Sequence, residues 1–110
     1  MGKYILRESE IPWREVMPGF FVKTLTYIEN KFAIGMMRAK SGFTHPLETH
    51  EMEEYAYVMK GRAETQIGDE KAMIGPGDYF VIPANTPHSV RVFEDTELIG
   101  FLSPPRPELR

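Results

Sequence analysis

Gly77-Asp78-Tyr79-Phe80-Val81-Ile82-Pro83-Ala84-Asn85-Thr86-Pro87-His88-Ser89-Val90 reads as a strand, a corner and the start of a second strand. Tyr79 to Ile82 are aromatic, β-branched or apolar, which suits a pleated and half-buried surface. Pro76-Gly77-Asp78 in front of them is turn chemistry, with Pro setting φ and Gly admitting positive φ. Pro83 and Pro87 cannot donate to a ladder from the middle of a sheet, so they mark strand ends. Outward from this unit the same rhythm repeats from about Gly19: short runs of Val, Ile, Phe, Tyr and Thr, broken by Gly, Pro, Asn or Asp about every ten residues. The runs predict strands over 20–27, 32–39, 54–60, 62–67, 70–74, 79–82, 88–93 and 97–102, with a tight hairpin at Gly68-Asp69. No segment carries a helical stripe, and Pro12-Trp13-Arg14-Glu15 reads as a short turn or a helical start. The class is all-β, a sandwich or barrel around one core.

Composition bounds the rest. With 110 residues, 42% of them hydrophobic, the chain is expected to form one domain, residues 1–18 being an N-terminal arm and 103–110 a tail. There is no cysteine, which removes disulfides, thiolate metal sites and cysteine nucleophiles and leaves nitrogen and oxygen to hold any metal. Apolar stretches fall far short of the roughly 18 residues that a membrane helix needs, and the opening residues do not read as a signal peptide. No membrane partner and a cytoplasmic location are therefore expected. The net charge of −3 comes with no cluster of Lys and Arg, so nucleic acid is a poor partner. Glu94-Asp95-Glu97 reads as a solvated turn between two strands. Met36-Met37 spans both faces of one strand and reads as core filling, and Trp13 as a cap on one end of the core or a ligand wall.

Chemistry concentrates in two places. Glu48, His50, Met52 and Glu54 stand at alternating positions, and in extended backbone they share one face that runs on into Ala56 and Val58. Acid, imidazole and acid are poor core material unless solvated, neutralised or bound to a cation. His88 begins a later strand whose Val90 and Val92 share its parity and face inward. Together these groups can form a mixed nitrogen and oxygen metal site. His45, shortly before Glu48, is either a replacement ligand or a loop residue.

Gly42, five residues, Glu48-Thr49-His50, three residues, Glu54, six residues and Gly61 make one motif. Gly77, five residues, Pro83-Ala84-Asn85, two residues, His88, three residues and Val92 make a second. Both spacings resemble the motifs of single-domain cupins, whose fold is a double-stranded β-helix or jelly-roll barrel. The resemblance implies that His50, Glu54 and His88 are metal ligands and that Glu48 stands where the first motif histidine belongs, as a ligand or as a base. It implies a divalent transition metal, among Mn, Fe, Ni and Zn. Asn85 replaces a motif glycine and tolerates a left-handed conformation.

The opening Ile11-Pro12-Trp13-Arg14-Glu15-Val16-Met17-Pro18-Gly19 and the late Phe101-Leu102-Ser103-Pro104-Pro105-Arg106 are similar to small cupins of pectin breakdown that linearise unsaturated uronates. That resemblance implies a homodimer and a role for Arg106 in holding a sugar acid's carboxylate, the alternative being a tail or subunit contact. The acid used by those proteins corresponds to Gly100, and their aromatic to Leu102. The implied function is metal-dependent isomerisation or another transformation of a small oxygen-rich substrate. A dioxygenase, a non-catalytic binding or sensor module and an inert barrel are the alternatives.

Overall fold

The computed structural model describes Gly2 and residues 4–110. Its strands are β1 (Arg14–Met17), β2 (Phe20–Ile28), β3 (Phe32–Ala39), β4 (Thr44–Glu48), β5 (Glu53–Ile67), β6 (Glu70–Ile74), β7 (Tyr79–Ile82) and β8 (His88–Ser103). Short 3-10 turns cover Glu8–Glu10 and Pro107–Leu109. Among the described residues no helix is long and apolar enough to cross a membrane.

All pairings are antiparallel, in the order β1-β2-β3-β8-β5-β6, with β4 added on β8 and β7 on β5. The two longest strands serve both leaves of a jelly roll. Residues 54–57 of β5 pair with β7, and 63–67 pair with β6. Residues 96–102 of β8 pair with β3, while its beginning, between His88 and Arg91, pairs with β4. The leaves close over an interior built on Val22, Met37, Ala56, Val58, Val92 and Leu102, with Ala56 and Val58 fully buried as their parity predicts.

Two predicted breaks do not exist. The runs 54–60 and 62–67 are one strand, and so are 88–93 and 97–102. The interruption at Gly61 is a bulge, with register slips between Val58 and Ala63 where Gly61 opposes Asp95 and Thr96. Glu94-Asp95-Glu97 is therefore a bent strand rather than a turn, with Glu94 and Asp95 solvated as expected. Glu94 meets Arg62 at 3.0 Å, Asp95 accepts the Ser41 N–H at 2.8 Å, and Glu97 lies 3.0 Å from Arg38 and 3.4 Å from Lys60.

Two strands were not predicted. Arg14–Met17, read as a turn or helical start, pairs with β2 across Pro18-Gly19, where Gly19 has φ 81°. β4 carries Pro46, which argues against a central strand. It forms on one side of β8 only, with a register slip between His45 and Glu48 that accommodates the proline. Trp13 neither caps the core nor lines the interior. It lies on the outward side of β2 and β3, with its ring centre 4.3 Å from the Arg38 guanidinium carbon and 4.8 Å from the Lys23 Nζ. Met37 is buried as expected, and Met36 is half-buried on the opposite face.

The tail folds back across the first strands. Arg14 donates to the carbonyls of Glu108 and Arg110 at 2.7 Å each, and the Thr24 hydroxyl donates to the Leu109 carbonyl. This places Arg106 and Leu109 on the wall of the interior cavity.

Gly61 has φ 101°, and a Cβ there would lie 2.5 Å from the Asp95 carbonyl oxygen and the Thr96 Cα. Backbone cannot yield as a flexible side chain can. Gly61→Ala is expected to destabilise the chain by about 3 kcal/mol. Thermal unfolding followed by circular dichroism should show the midpoint falling by roughly 10 °C or more, and an unchanged midpoint would refute the close approach.

Candidate metal centre and cavity

The ladder sets Glu48 directly opposite His88, so the last residue of β4 and the first of β8 present their side chains together. Glu48 Oε1 lies 3.5 Å from His88 Nε2. The chain then crosses from β4 to β5 through Thr49–Met52. The Asn85 N–H donates to the His50 carbonyl at 2.7 Å, which fastens that crossing to the corner between β7 and β8. Asn85 adopts φ 58°, the left-handed conformation expected of a residue standing in for glycine. The His50 and His88 rings consequently meet edge to face, with centroids 4.5 Å apart. One ligand atom from each of Glu48, His50 and His88 lies within 4.8 Å of the others. His45, on β4 rather than a loop, brings its Nε2 to 3.5 Å from Glu48 Oε2.

The imidazoles share one device. The Nδ1 of His45 meets the Pro46 carbonyl at 2.8 Å, that of His50 the Met52 carbonyl at 2.6 Å, and that of His88 the Thr86 carbonyl at 2.9 Å. A carbonyl only accepts, so each Nδ1 carries a proton, and a ring with no second proton presents a lone pair at Nε2. For His45 and His88 that lone pair faces the Glu48 carboxylate. Acceptors directed at acceptors need a proton or a cation between them, and a backbone-anchored Nδ1–H is the usual support of a metal-binding imidazole. Burial holds His50 below the usual imidazole value, helped by His88 and Arg106, against the opposing pull of its bond to Met52 and of Glu48. At neutral pH its lone pair is free, and the nitrogen and carboxylate set suits a borderline divalent ion.

Glu54 lines the same cavity but falls outside the three-residue cluster. The predicted alternation survives in burial, since Met52 is buried while Thr49 and Glu51 are exposed. The backbone is nevertheless not one strand: β4 stops at Glu48 and β5 starts at Glu53, so Glu54 arrives on a different strand. Burial raises its carboxyl to about 7, and the Glu48 charge adds to this while Arg106 opposes it.

Arg106 reaches the cavity from the tail, and its Nε is buried with no hydrogen-bond partner among the described residues. Gly100 and Leu102 lie on the inner side of β8. A Cβ at Gly100 would meet Met37 Cε at 2.7 Å, so any side chain there would require the thioether methyl to move. Leu102 is part of the packed wall, 3% exposed. The enclosed volume is about 360 Å³. Sequence reasoning missed the contributions of Val16, Met17 and Leu109 to its lining, because they depend on the arm and the tail folding over the barrel.

A profile of the cupin domain matches residues 35–101. The pectin degradation protein KdgF of Dickeya dadantii (strain 3937) is 29% identical over 107 residues, 96% of each chain. The solved KdgF of Halomonas sp. superimposes with a TM-score of 0.86 at 27% identity, over 94% of this chain and 97% of that one. Oxalate decarboxylase OxdC of Bacillus subtilis (strain 168) is 34% identical over 79 residues, 67% of this chain, and this chain spans only 20% of it. A structure of the Bacillus subtilis oxalate decarboxylase with Mn(II) centres superimposes at a TM-score of 0.72 and 28% identity, over 89% of this chain and 28% of that one.

The Glu54 carboxyl is raised in the folded chain from 4.5 to about 7. Its neutral form therefore favours the fold fully below pH 4.5, and this contribution is lost as the pH rises through 7. Glu54→Gln is expected to leave the stability of the metal-free protein unchanged at pH 4 and to raise it at pH 8 by up to about 3 kcal/mol. Urea unfolding at the two pH values measures the difference, and equal curves at pH 8 would show that burial does not hold the acid neutral.

Proposed function

The chain belongs to the cupin family, and we propose that it is a metal-dependent enzyme that binds a small carboxylic acid and shifts a proton on it. The observation that supports this reading is the convergence of the Glu48 carboxylate with the Nε2 lone pairs of His50 and His88, each ring anchored through Nδ1. Glu48, His50 and His88 are the metal ligands in this reading. A bound divalent metal, Mn, Fe, Ni or Zn, supplies Lewis-acid stabilisation of negative charge on a substrate oxygen. Arg106, whose Nε has no hydrogen-bond partner among the described residues, offers its guanidinium to the substrate carboxylate, where a fork of donors matches two oxygens. Glu54 is assigned the proton rather than the metal, because it lies outside the cluster and its carboxyl is poised near neutrality, where an acid can both take and return a proton. The base thus moves from Glu48, the position open to that role in the sequence, to Glu54.

Similarity to the pectin degradation protein over nearly the whole of both chains makes a sugar acid the reference against which other small acids are assayed. Gly100, filled over by Met37, favours a second reading in which the cavity binds its acid without turning it over. The two differ in product formation. A proton shift, which breaks one C–H bond and forms another on the same molecule, proceeds in anaerobic buffer, whereas dioxygenation does not.

A homodimer is also part of the proposal. Tyr57, Met59, Tyr79, Val81 and Phe101 expose large apolar side chains on β7, β5 and β8, and Tyr4, Ile5 and Leu6 are exposed on the arm. Light scattering at micromolar protein should give twice 12.7 kDa, and a mass of 12.7 kDa would overturn the dimer.

Protein purified without a tag or added metal is expected to carry close to one transition metal per chain by plasma mass spectrometry. His50→Ala and His88→Ala should each weaken metal affinity about 100-fold in a chelator competition titration. Unchanged affinity in both variants would remove the metal reading.

A further inference from the structure

The cavity is polar at one end only. Glu48, His50, His88, Glu54 and Arg106 gather where β4 ends, β5 and β8 begin and the tail returns. The remainder is largely hydrocarbon. Ala39, Ala63 and Val92 form a buried cluster against which Phe20, Phe43, Ile74 and Val90 pack, and all of them line the cavity. Phe20 and Phe43 stack with ring centroids 5.3 Å apart. Two threonine hydroxyls on this wall have already placed their protons, Thr65 donating to the Ser89 carbonyl at 2.9 Å and Thr96 to the Glu94 carbonyl at 2.8 Å, which leaves them as acceptors only. Over Gly100 the wall is closed by the Met37 methyl.

A polyhydroxylated acid placed here would turn several hydroxyls towards carbon, and each hydroxyl stripped of water without a partner is unfavourable. An apolar body would instead gain from leaving water. We propose that the acid taken by this cavity is a monocarboxylate with an aryl or branched-alkyl body, its carboxylate at Arg106 and its body against Phe20, Phe43 and Met37. This rests on the reading of the cavity as a metal-dependent acid site and names the substrate class of that site. The carboxylate end is set by Arg106, which lines the cavity and whose Nε has no hydrogen-bond partner among the described residues. The apolar end is set by the side chains on β2, β3 and the turn before β4, which carry no free hydrogen-bonding group to read a sugar's hydroxyls.

The test is calorimetric titration of the intact chain, zinc-loaded and metal-free, with 3-phenylpropanoate and with galacturonate. The expected result in both forms is that 3-phenylpropanoate binds about tenfold more tightly or better, with a negative heat-capacity change. Arg106→Gln is expected to weaken it by about tenfold while leaving the circular dichroism spectrum unchanged. Galacturonate binding as tightly as, or more tightly than, 3-phenylpropanoate overturns the inference, and so does the failure of both acids to bind. A zinc titration without acid is read separately. Loss of zinc binding there removes the metal reading, and the ranking of the two acids on the metal-free chain still decides this one.

Discussion

Gly61 lies so close to the Asp95–Thr96 backbone that no side chain fits between them, and the architecture depends on that approach. It lets a strand of 15 residues and a strand of 16 stay paired through a shared bend, so that each serves two leaves. Without the bend the two would make a flat ribbon, and the leaves could not close over an interior. The same bend determines where chemistry can occur. One end of the enclosed space is ringed by the end of β4, the crossing to β5 and the start of β8. The Asn85 N–H to His50 carbonyl bond ties the crossing to the corner there.

At that end the interior departs from what stability alone would select. A satisfied core histidine uses both ring nitrogens, whereas His45, His50 and His88 each spend Nδ1 on a backbone carbonyl, and the Nε2 of His45 and of His88 lies 3.5 Å from the same carboxylate. Nearby, burial raises the Glu54 carboxyl to about 7, and Arg106 keeps a buried donor with no partner among the described residues. Each of these is unfavourable in an empty barrel, which is the ground on which a cation and an anionic ligand are proposed. Their concentration in one place, with hydrocarbon elsewhere along the wall, gives the cavity a direction: charge at one end, greasy surface at the other.

Much of the strand content was legible because alternation and Gly/Pro punctuation are local signals. They failed in informative ways. The sequence shows eight runs and the structure eight strands, but not the same eight. Gly61 and Glu94–Glu97 look like strand ends because a bulge and a turn use similar residues, and only pairing across some 35 positions of chain tells them apart. β4 and β1 were hidden because edge strands paired on one side need little apolar alternation and tolerate Pro46. His50 and His88 were visible as a pair through motif spacing. The contact of His45 with Glu48 was not, since it depends on the register slip at Pro46-Leu47.

The sequence by itself determined the β class, the residue types available to a metal and the positions at which the motifs fall, because each of these depends on neighbours a few residues away. Only the tertiary structure decided which lone pairs meet, that Glu54 lands outside the cluster, that Met37 closes the space over Gly100 and that the tail delivers Arg106 to the cavity. Those outcomes depend on ladder register and on contacts between residues tens of positions apart, and no local pattern encodes them.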